Sequence, residues 1–208
     1  AGIRQPVRVA AVAYGTAFEE QWGVPARGVD FFDVKNDLET LIAPRRARFE
    51  PVIHPALHPG RGAAVVLDEV VIGWIGELHP KWQKKYELSE PLVAFEIDAE
   101  PLQRLPLPQN REISRFPPVR RDLAVTVDES TPVQAILDGL LRAKPAIVHE
   151  VRVFDVYRGK AIENGKKGLA FRVLLQDTQK TLTDAEVDAA IAGLRKVLEQ
   201  EYGAKLRQ

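Results

Sequence analysis

The chain has 208 residues, 45% of them hydrophobic, and its 29 basic and 29 acidic side chains give a formal net charge of zero. The absence of cysteine excludes disulfides, thiolate zinc sites and a cysteine nucleophile. No apolar run approaches the ~18 to 20 residues that span a bilayer. We therefore expect a cytoplasmic, folded protein of one large or two ordinary domains, with no membrane partner. Because methionine is also absent, we expect a piece of a longer chain.

The charge is distributed unevenly along the chain. Residues 1–110 carry 12 basic and 15 acidic side chains, whereas residues 111–208 carry 17 and 14. The contrast is modest, but it makes the second half the better candidate for a surface that binds a polyanion.

The first half alternates strand patterns with one clear helix pattern. The helix is predicted over residues 33–42, where Val34, Leu38 and Leu41 share a face and Pro44 ends the pattern. Other elements are also expected: strands over 7–13, 49–54 and 92–97, a tight turn over 58–62, a hairpin of strands 63–67 and 70–75, and a short helix over 80–86. This order favours an antiparallel sheet with helices on one side.

Three histidines and two glycines are the first half's candidates for chemistry. His54 and His58 have the spacing of helical metal ligands, but a proline follows each of them and forbids that helix. His79 also precedes a proline, so we interpret all three as turn or cap residues. Gly73 and Gly76 interrupt a strand pattern, which indicates close backbone packing or a bulge rather than a phosphate loop. No catalytic motif is visible, and we predict neither catalytic residues nor a metal site.

A proline-rich segment separates the two halves. Residues 101–112 are predicted to be a semi-extended linker with the boundary near residue 110, which leaves domains at 1–100 and 113–208. The second domain is predicted to contain a strand from about Arg120 to Val127, a helix after Pro132, strands over 147–157 and 168–175, a helix capped by Thr183, and a short last strand. This is the ferredoxin-like order, with both helices on one sheet face, so the fold class is α+β.

The other sheet face is therefore predicted to be free to bind a ligand. Tyr157 offers stacking, Asp155 can accept a hydrogen bond from a base edge, and Arg172 can hold a phosphate. The ordinary alternative is a buried Phe154 and a surface ion pair between Asp155 and Arg158. The pattern indicates nucleic acid without being specific for it.

Six motifs resemble the C-terminal part of bacterial phenylalanyl-tRNA synthetase β subunits. Those of the first half are the segments 32–39, 57–61 and 73–80, and those of the second half are 116–124, 154–159 and 176–184. They occur in order over nearly the whole chain.

This resemblance implies a specific role. Residues 1–100 would belong to a catalytic-like but non-catalytic class II synthetase core, and residues 113–208 to a ferredoxin-fold anticodon-binding domain. The parent would be an (αβ)₂ ligase that joins phenylalanine to tRNA-Phe with ATP and magnesium, its chemistry in the α subunit. The fragment itself would need no cofactor, and its partners would be tRNA-Phe and the α subunit.

The resemblance assigns anticodon contact first to Asp155 and Tyr157. Strict alternation would place them on one face with Val151 and Val153, and would place Arg152, Phe154 and Val156 on the other. The sequence leaves undecided which of these faces is open. Further candidates for the tRNA backbone or a loop base are Arg115, Phe116, Arg120 and Arg121.

Two other functions are compatible with the sequence. One is a small ferredoxin-fold enzyme, such as an acyl phosphate hydrolase that uses Arg120 or Arg121 with Asn164. The other is a protein-interaction module in which the first-half sheet docks another chain.

Overall fold

The computed structural model describes residues 3, 5–104, 106–107, 113–159 and 162–207. The chain divides into two compact units, Ala1–Gln109 and Asn110–Gln208. The expected boundary near residue 110 lies outside the described residues. Among the helices that the structure describes, none has both the length and the apolar character needed to cross a membrane.

The first unit is a five-stranded antiparallel sheet. Its elements are β1 (Arg8–Tyr14), α1 (Phe31–Ile42), β2 (Arg48–Pro51), β3 (Leu57–Leu67), β4 (Val70–Leu78), α2 (Pro80–Lys85) and β5 (Leu92–Asp98). The strand order is β1-β5-β4-β3-β2. Val34, Leu38 and Ile42 of α1 are buried in the same core as Ile75 and Phe95, so α1 covers one sheet face.

Helix α1 begins two residues earlier than its apolar pattern predicts. Asp30 accepts hydrogen bonds from the amides of Phe32 and Asp33, and Asp33 accepts one from the amide of Asp30. Arg27 donates to both carboxylate oxygens of Asp33 at 2.6 Å, and together with the Asp30 amide it lowers the pKa of Asp33 to about 2. A capping box therefore fixes the start of α1.

Two expectations for the first half are wrong. Residues 58–62 do not form a tight turn but belong to β3, where an irregular register between Leu57 and Gly62 lets the strand pass His58 and Pro59. The linker is not extended throughout, because Glu100–Arg104 form a 3₁₀ helix whose Leu102 packs on the core. Residues 105 and 108–112 of that linker lie outside the described part of the chain.

The predicted hairpin and the close packing at the strand glycines are confirmed. Strands β3 and β4 pair around Asp68 and Glu69, which both adopt positive φ. A side chain at Gly73 would lie 2.0 Å from the carbonyl oxygen of Glu96. Only glycine fits there without moving the backbone of β5.

The second unit has the predicted strand-helix-strand-strand-helix-strand order. Its elements are β6 (Val119–Asp128), α3 (Val133–Ala143), β7 (Val148–Tyr157), β8 (Lys166–Leu175), α4 (Asp184–Tyr202) and β9 (Lys205–Leu206). The sheet order β7-β8-β6-β9, antiparallel throughout, confirms the ferredoxin-like topology.

One face of this sheet is packed beneath both helices. Leu123, Val125 and Val127 of β6 are buried there, as the alternation predicts. The predicted capping box of α4 is present between Thr183 and Glu186, and Gly203 ends the helix in the left-handed conformation. No helix among the described residues of this unit lies on the opposite face.

Candidate nucleic-acid interface

Strand β7 contains a β-bulge, and this bulge decides which side chains face away from the helices. Val153 pairs with Phe171, but the next register pair joins Asp155 to Ala170, so Phe154 is an extra residue. Because paired residues point to the same side, Val151 and Val153 lie on the helix-covered face with buried Val173 and Phe171. Beyond the bulge the alternation is reversed.

The expectation of strict alternation along β7 is therefore wrong. Asp155 and Tyr157 share the helix-free face with Arg152, not with Val151 and Val153. Val156 pairs with buried Leu169 and points to the helix side. The two primary candidates thus lie together on the face that the helices leave uncovered.

Tyr157 lies over two glycines at one end of this face. Its side chain is 43% exposed, and its ring folds back over Gly159, where a Cβ would come within 2.3 Å of the phenolic oxygen. Gly168 is its partner on β8, and a Cβ there would lie 2.8 Å from Cδ1 of Ile162, 3.1 Å from Arg207 and 3.6 Å from the Cβ of Tyr157. Gly159 leaves space for the Tyr157 ring, and Gly168 leaves space for Ile162 and Arg207.

Arg207 is a residue of this site that the sequence analysis did not identify. Its amide donates to the carbonyl of Ala124 at 2.8 Å, which continues the pairing of β9 with β6. From that edge its guanidinium reaches across the sheet to 5.9 Å from the centroid of the Tyr157 ring. A basic residue in the last strand was visible in the sequence, but only the strand order brings it to Tyr157.

Phe154 is not a core residue. It is 48% exposed, and the guanidinium of Arg172 lies 4.6 Å from the centroid of its ring. Arg172 of β8 also forms an ion pair with Asp122 of the neighbouring strand β6, at 3.5 Å. The ion pair between Asp155 and Arg158, which was the ordinary alternative, does not form, because Arg158 binds Glu129 at 2.8 Å and lowers the pKa of that carboxyl group.

The four further candidates are not brought together at one place. Arg120 lies on the helix-free face and donates to Asp122 at 2.9 Å, which is the main reason that the pKa of Asp122 is lowered. Arg121 lies on the other face, with a guanidinium nitrogen 3.7 Å from a carboxylate oxygen of Asp184. Adjacent strand residues necessarily point apart, so the two arginines cannot act as one pair.

Arg115 and Phe116 lie just before β6, at the end of the sheet remote from Tyr157. The Phe116 carbonyl accepts a hydrogen bond from the Gln176 side chain at 2.7 Å, and Ser114 donates to the Asp177 carbonyl at 2.6 Å. Two of the six motifs, 116–124 and 176–184, therefore meet in space. Arg115 is exposed, and Phe116 is half-buried.

Two family descriptions match the chain in succession. Residues 1–99 match the "Phenylalanyl tRNA synthetase beta chain CLM domain", and residues 114–207 match the "Ferredoxin-fold anticodon binding domain". Proteins called phenylalanine--tRNA ligase beta subunit are 50% identical over 203 residues in Nitrosospira multiformis, 48% over 206 in Dechloromonas aromatica and 49% over 207 in Aromatoleum aromaticum. The chain belongs to the phenylalanine--tRNA ligase β-subunit family. These matches cover 98 to 100% of the chain but 26% of each relative, so the chain spans about a quarter of their length.

For this member of the family, His54 precedes a turn and His79 caps α2, as expected, whereas His58 lies within β3. The Nδ1 atoms of His54, His58 and His79 each accept a hydrogen bond from the amide two residues later, at 3.3, 3.0 and 3.0 Å. His54 also stacks on Trp74. Within the described ranges, no group of histidine and acidic side chains is arranged to hold a metal ion.

The structure separates the residues of the alternative hydrolase. Arg121 pairs with Val173 near one end of β8, whereas Asn164 precedes the other end of that strand. At ~3.3 Å per residue, the two are about 25 to 30 Å apart along the strand. Arg120 pairs with Leu174 and lies as far away. No common site for an acyl phosphate is formed by these residues.

Proposed function

We propose that the chain binds the anticodon of tRNA-Phe through the helix-free face of its second unit and serves as a scaffold within phenylalanine–tRNA ligase. One observation carries the proposal: the bulge in β7 places Asp155 and Tyr157 together on that face, in a unit that matches an anticodon-binding domain. The ligase name of the relatives supplies the enzyme, tRNA and amino acid.

Each group on the face has a distinct chemical task in this proposal. The Tyr157 ring stacks on an unstacked base, and the Asp155 carboxylate accepts a hydrogen bond from the amino edge of a guanine. Arg207 adds positive charge beside the same ring and holds a phosphate. Arg120, with Arg115 and Phe116 farther along, positions the tRNA backbone, whereas Arg121 contributes from the rim of the other face.

The first unit is proposed to be part of a catalytic-like core of the class II synthetase type. Its five-stranded antiparallel sheet with α1 on one face supports this assignment, as does the match over residues 1–99. In the intact cytoplasmic enzyme we place ATP, magnesium and the ligase reaction in a partner α subunit of an (αβ)₂ assembly. The chain's own residues then bind and scaffold.

Three exposed aromatic side chains, two in the loop before α1 and one in its first turn, favour a docking role for the first unit as well. Trp22 is 99% exposed, Phe18 55% and Phe32 72%, and clustered exposure of large apolar side chains is typical of interaction surfaces. We assign these three side chains to contact with the α subunit. Copurification of the two subunits should weaken with Trp22→Ser and persist with Tyr86→Ser, another exposed aromatic; equal retention would refute the assignment.

Anticodon binding is tested by titrating the 208-residue chain with a fluorescent tRNA-Phe anticodon stem-loop. Tyr157→Ala should cost ~1 to 3 kcal/mol of binding free energy, the range for a lost stack. Replacing an anticodon guanine with inosine, which lacks the amino group, should weaken binding to the wild-type chain but not to Asp155→Ala. Binding should also fall with salt, by ~0.7 in log K per phosphate neutralised for each tenfold increase in salt.

Controls remove similar side chains elsewhere. Tyr86→Ala deletes an exposed ring of the first unit, and Asp188→Ala deletes an exposed carboxylate on α4. Both should leave the affinity unchanged. Undiminished binding by the Asp155→Ala, Tyr157→Ala double variant would remove the site.

A further inference from the structure

We propose that Phe154 and Arg172 form a second nucleotide position, which stacks the base adjacent to the one held by Tyr157 and Asp155. The inference rests on the proposed anticodon function and extends it by one subsite. It starts from Phe154, which is exposed on the sheet surface directly beside Asp155. The guanidinium of Arg172 packs on the Phe154 ring.

The β-bulge is what brings this phenylalanine to the helix-free side. In a regular strand, Phe154 and Asp155 would point to opposite faces. Here both oppose the same stretch of β8, and the Phe154 ring meets Arg172, whose partners Asp122 and Arg152 lie on the helix-free face. Bulges recur beside functional sites because they redirect a side chain in this way.

The pair is arranged as a stacking platform with one surface left open. Arg172 stands over the ring at 4.6 Å, and the nearby carboxylate of Asp122 holds the guanidinium on the sheet. Nearly half of the Phe154 side chain remains accessible. Flat bases stack on aromatic rings and on guanidinium planes irrespective of sequence, so a nucleotide is a ligand that fits both groups.

The charge around the pair also suits a nucleotide backbone. Three arginines lie close together on neighbouring strands of the helix-free face, namely Arg120, Arg152 and Arg172. Arg120 and Arg172 share the carboxylate of Asp122, and Arg152 pairs with Glu150. A guanidinium has five N–H donors, so these pairings leave donors free for phosphate oxygens. Phe154 is three residues from Tyr157, about 10 Å along a strand, which is within reach of a neighbouring nucleotide.

The test uses anticodon stem-loops in which single loop nucleotides are made abasic. Phe154→Leu keeps an apolar side chain but removes the ring, and should weaken binding of the intact loop by about 5- to 150-fold, the equivalent of one lost stack. Phe154→Trp keeps a ring and should retain the affinity. Arg172→Gln should weaken binding and reduce its salt dependence.

The abasic series locates the subsite. The effect of Phe154→Leu should vanish with one abasic loop, and that of Tyr157→Ala with the abasic loop next to it. Tyr86→Leu is the matched control, because Tyr86 is also an exposed ring with a cation, Lys85, at 5.7 Å from its centroid. It should bind every loop as the wild-type chain does.

Three outcomes would overturn the inference. Full binding by Phe154→Leu, while Tyr157→Ala is weakened, would refute the second subsite and leave the anticodon function standing. A Phe154→Leu effect that is equal for every abasic loop would indicate a disturbed strand rather than a lost stack. Failure of the wild-type chain to bind any loop would refute the subsite and the proposed function together.

Discussion

Replacing Gly159 with alanine should separate RNA binding from stability, because the substitution reaches Tyr157 without altering a binding side chain. A Cβ at this position would lie 2.3 Å from the phenolic oxygen of Tyr157, 2.6 Å from its Cζ and 3.1 Å from its Cε1. All three atoms belong to the phenol group, so the ring itself must swing away. Gly159 does not adopt the left-handed conformation, so alanine is compatible with its backbone.

The two expected effects have opposite signs. Alanine in place of a glycine with compatible backbone angles stabilises the folded state by ~0.4 to 1 kcal/mol, because the unfolded chain loses freedom. The displaced ring is exposed, so moving it costs little packing. Binding, however, loses up to the full ~1 to 3 kcal/mol of one stack.

Urea unfolding and anticodon stem-loop titration of the same preparation measure both quantities. Gly193→Ala is the matched control: a Cβ added to this exposed glycine of α4 would meet no atom within 4 Å, so alanine should stabilise the helix by ~1 kcal/mol and leave binding unchanged. If Gly159→Ala bound RNA as tightly as the wild-type chain, the ring position would not matter for binding. A joint loss of stability and binding would instead show general damage.

Two further predictions concern stability. Gly139→Ala should destabilise the chain by ~1 to 3 kcal/mol in urea unfolding, although alanine has the better helix propensity. The reason is that the new Cβ would lie 2.2 Å from the Tyr202 hydroxyl, which donates a hydrogen bond to the Ala135 carbonyl. Unchanged stability would contradict this packing. Glu186→Gln should lower stability most above pH ~5 and progressively less as the pH falls toward 2. Its pKa is held at about 2 by Lys180 and Thr183, so the carboxylate stabilises the fold above its unfolded pKa and loses that effect on protonation. A difference between variant and wild type that is constant with pH would refute it.

Local patterns were sufficient to predict most elements of both units. Thr183 and Glu186 are three residues apart, which is the geometry of a capping box, and the structure contains that box. The alternation of β6 holds because its pairing with β8 has no register shift from Val119 to Asp128. In a regular strand, successive side chains point to opposite faces of the sheet, so the sequence alone shows which residues share a face.

Where prediction from the sequence was wrong or incomplete, the structure was determined by contacts between segments that are distant in the sequence. The turn expected over residues 58–62 rests on His-Pro and Gly chemistry, yet pairing of Leu57 with Leu78 draws the segment into β3. Arg207 could not be assigned to the site because its neighbours depend on the strand order of the sheet. Proline and glycine favour turns locally, but they do not determine which strand will pair with the segment that contains them.

The bulge in β7 is the most consequential of these cases. One extra residue at Phe154 reverses the faces of everything that follows it, so a prediction made by counting places Val153 beside Asp155 when the two point apart. The pairing with β8 requires the reversal, because Val153 meets Phe171 in the core whereas Tyr157 pairs with Gly168 on the helix-free face. A strand without the extra residue would satisfy only one of these contacts. The core and the helix-free face therefore specify the bulge together, and Asp155 and Tyr157 owe their position on the helix-free face to it.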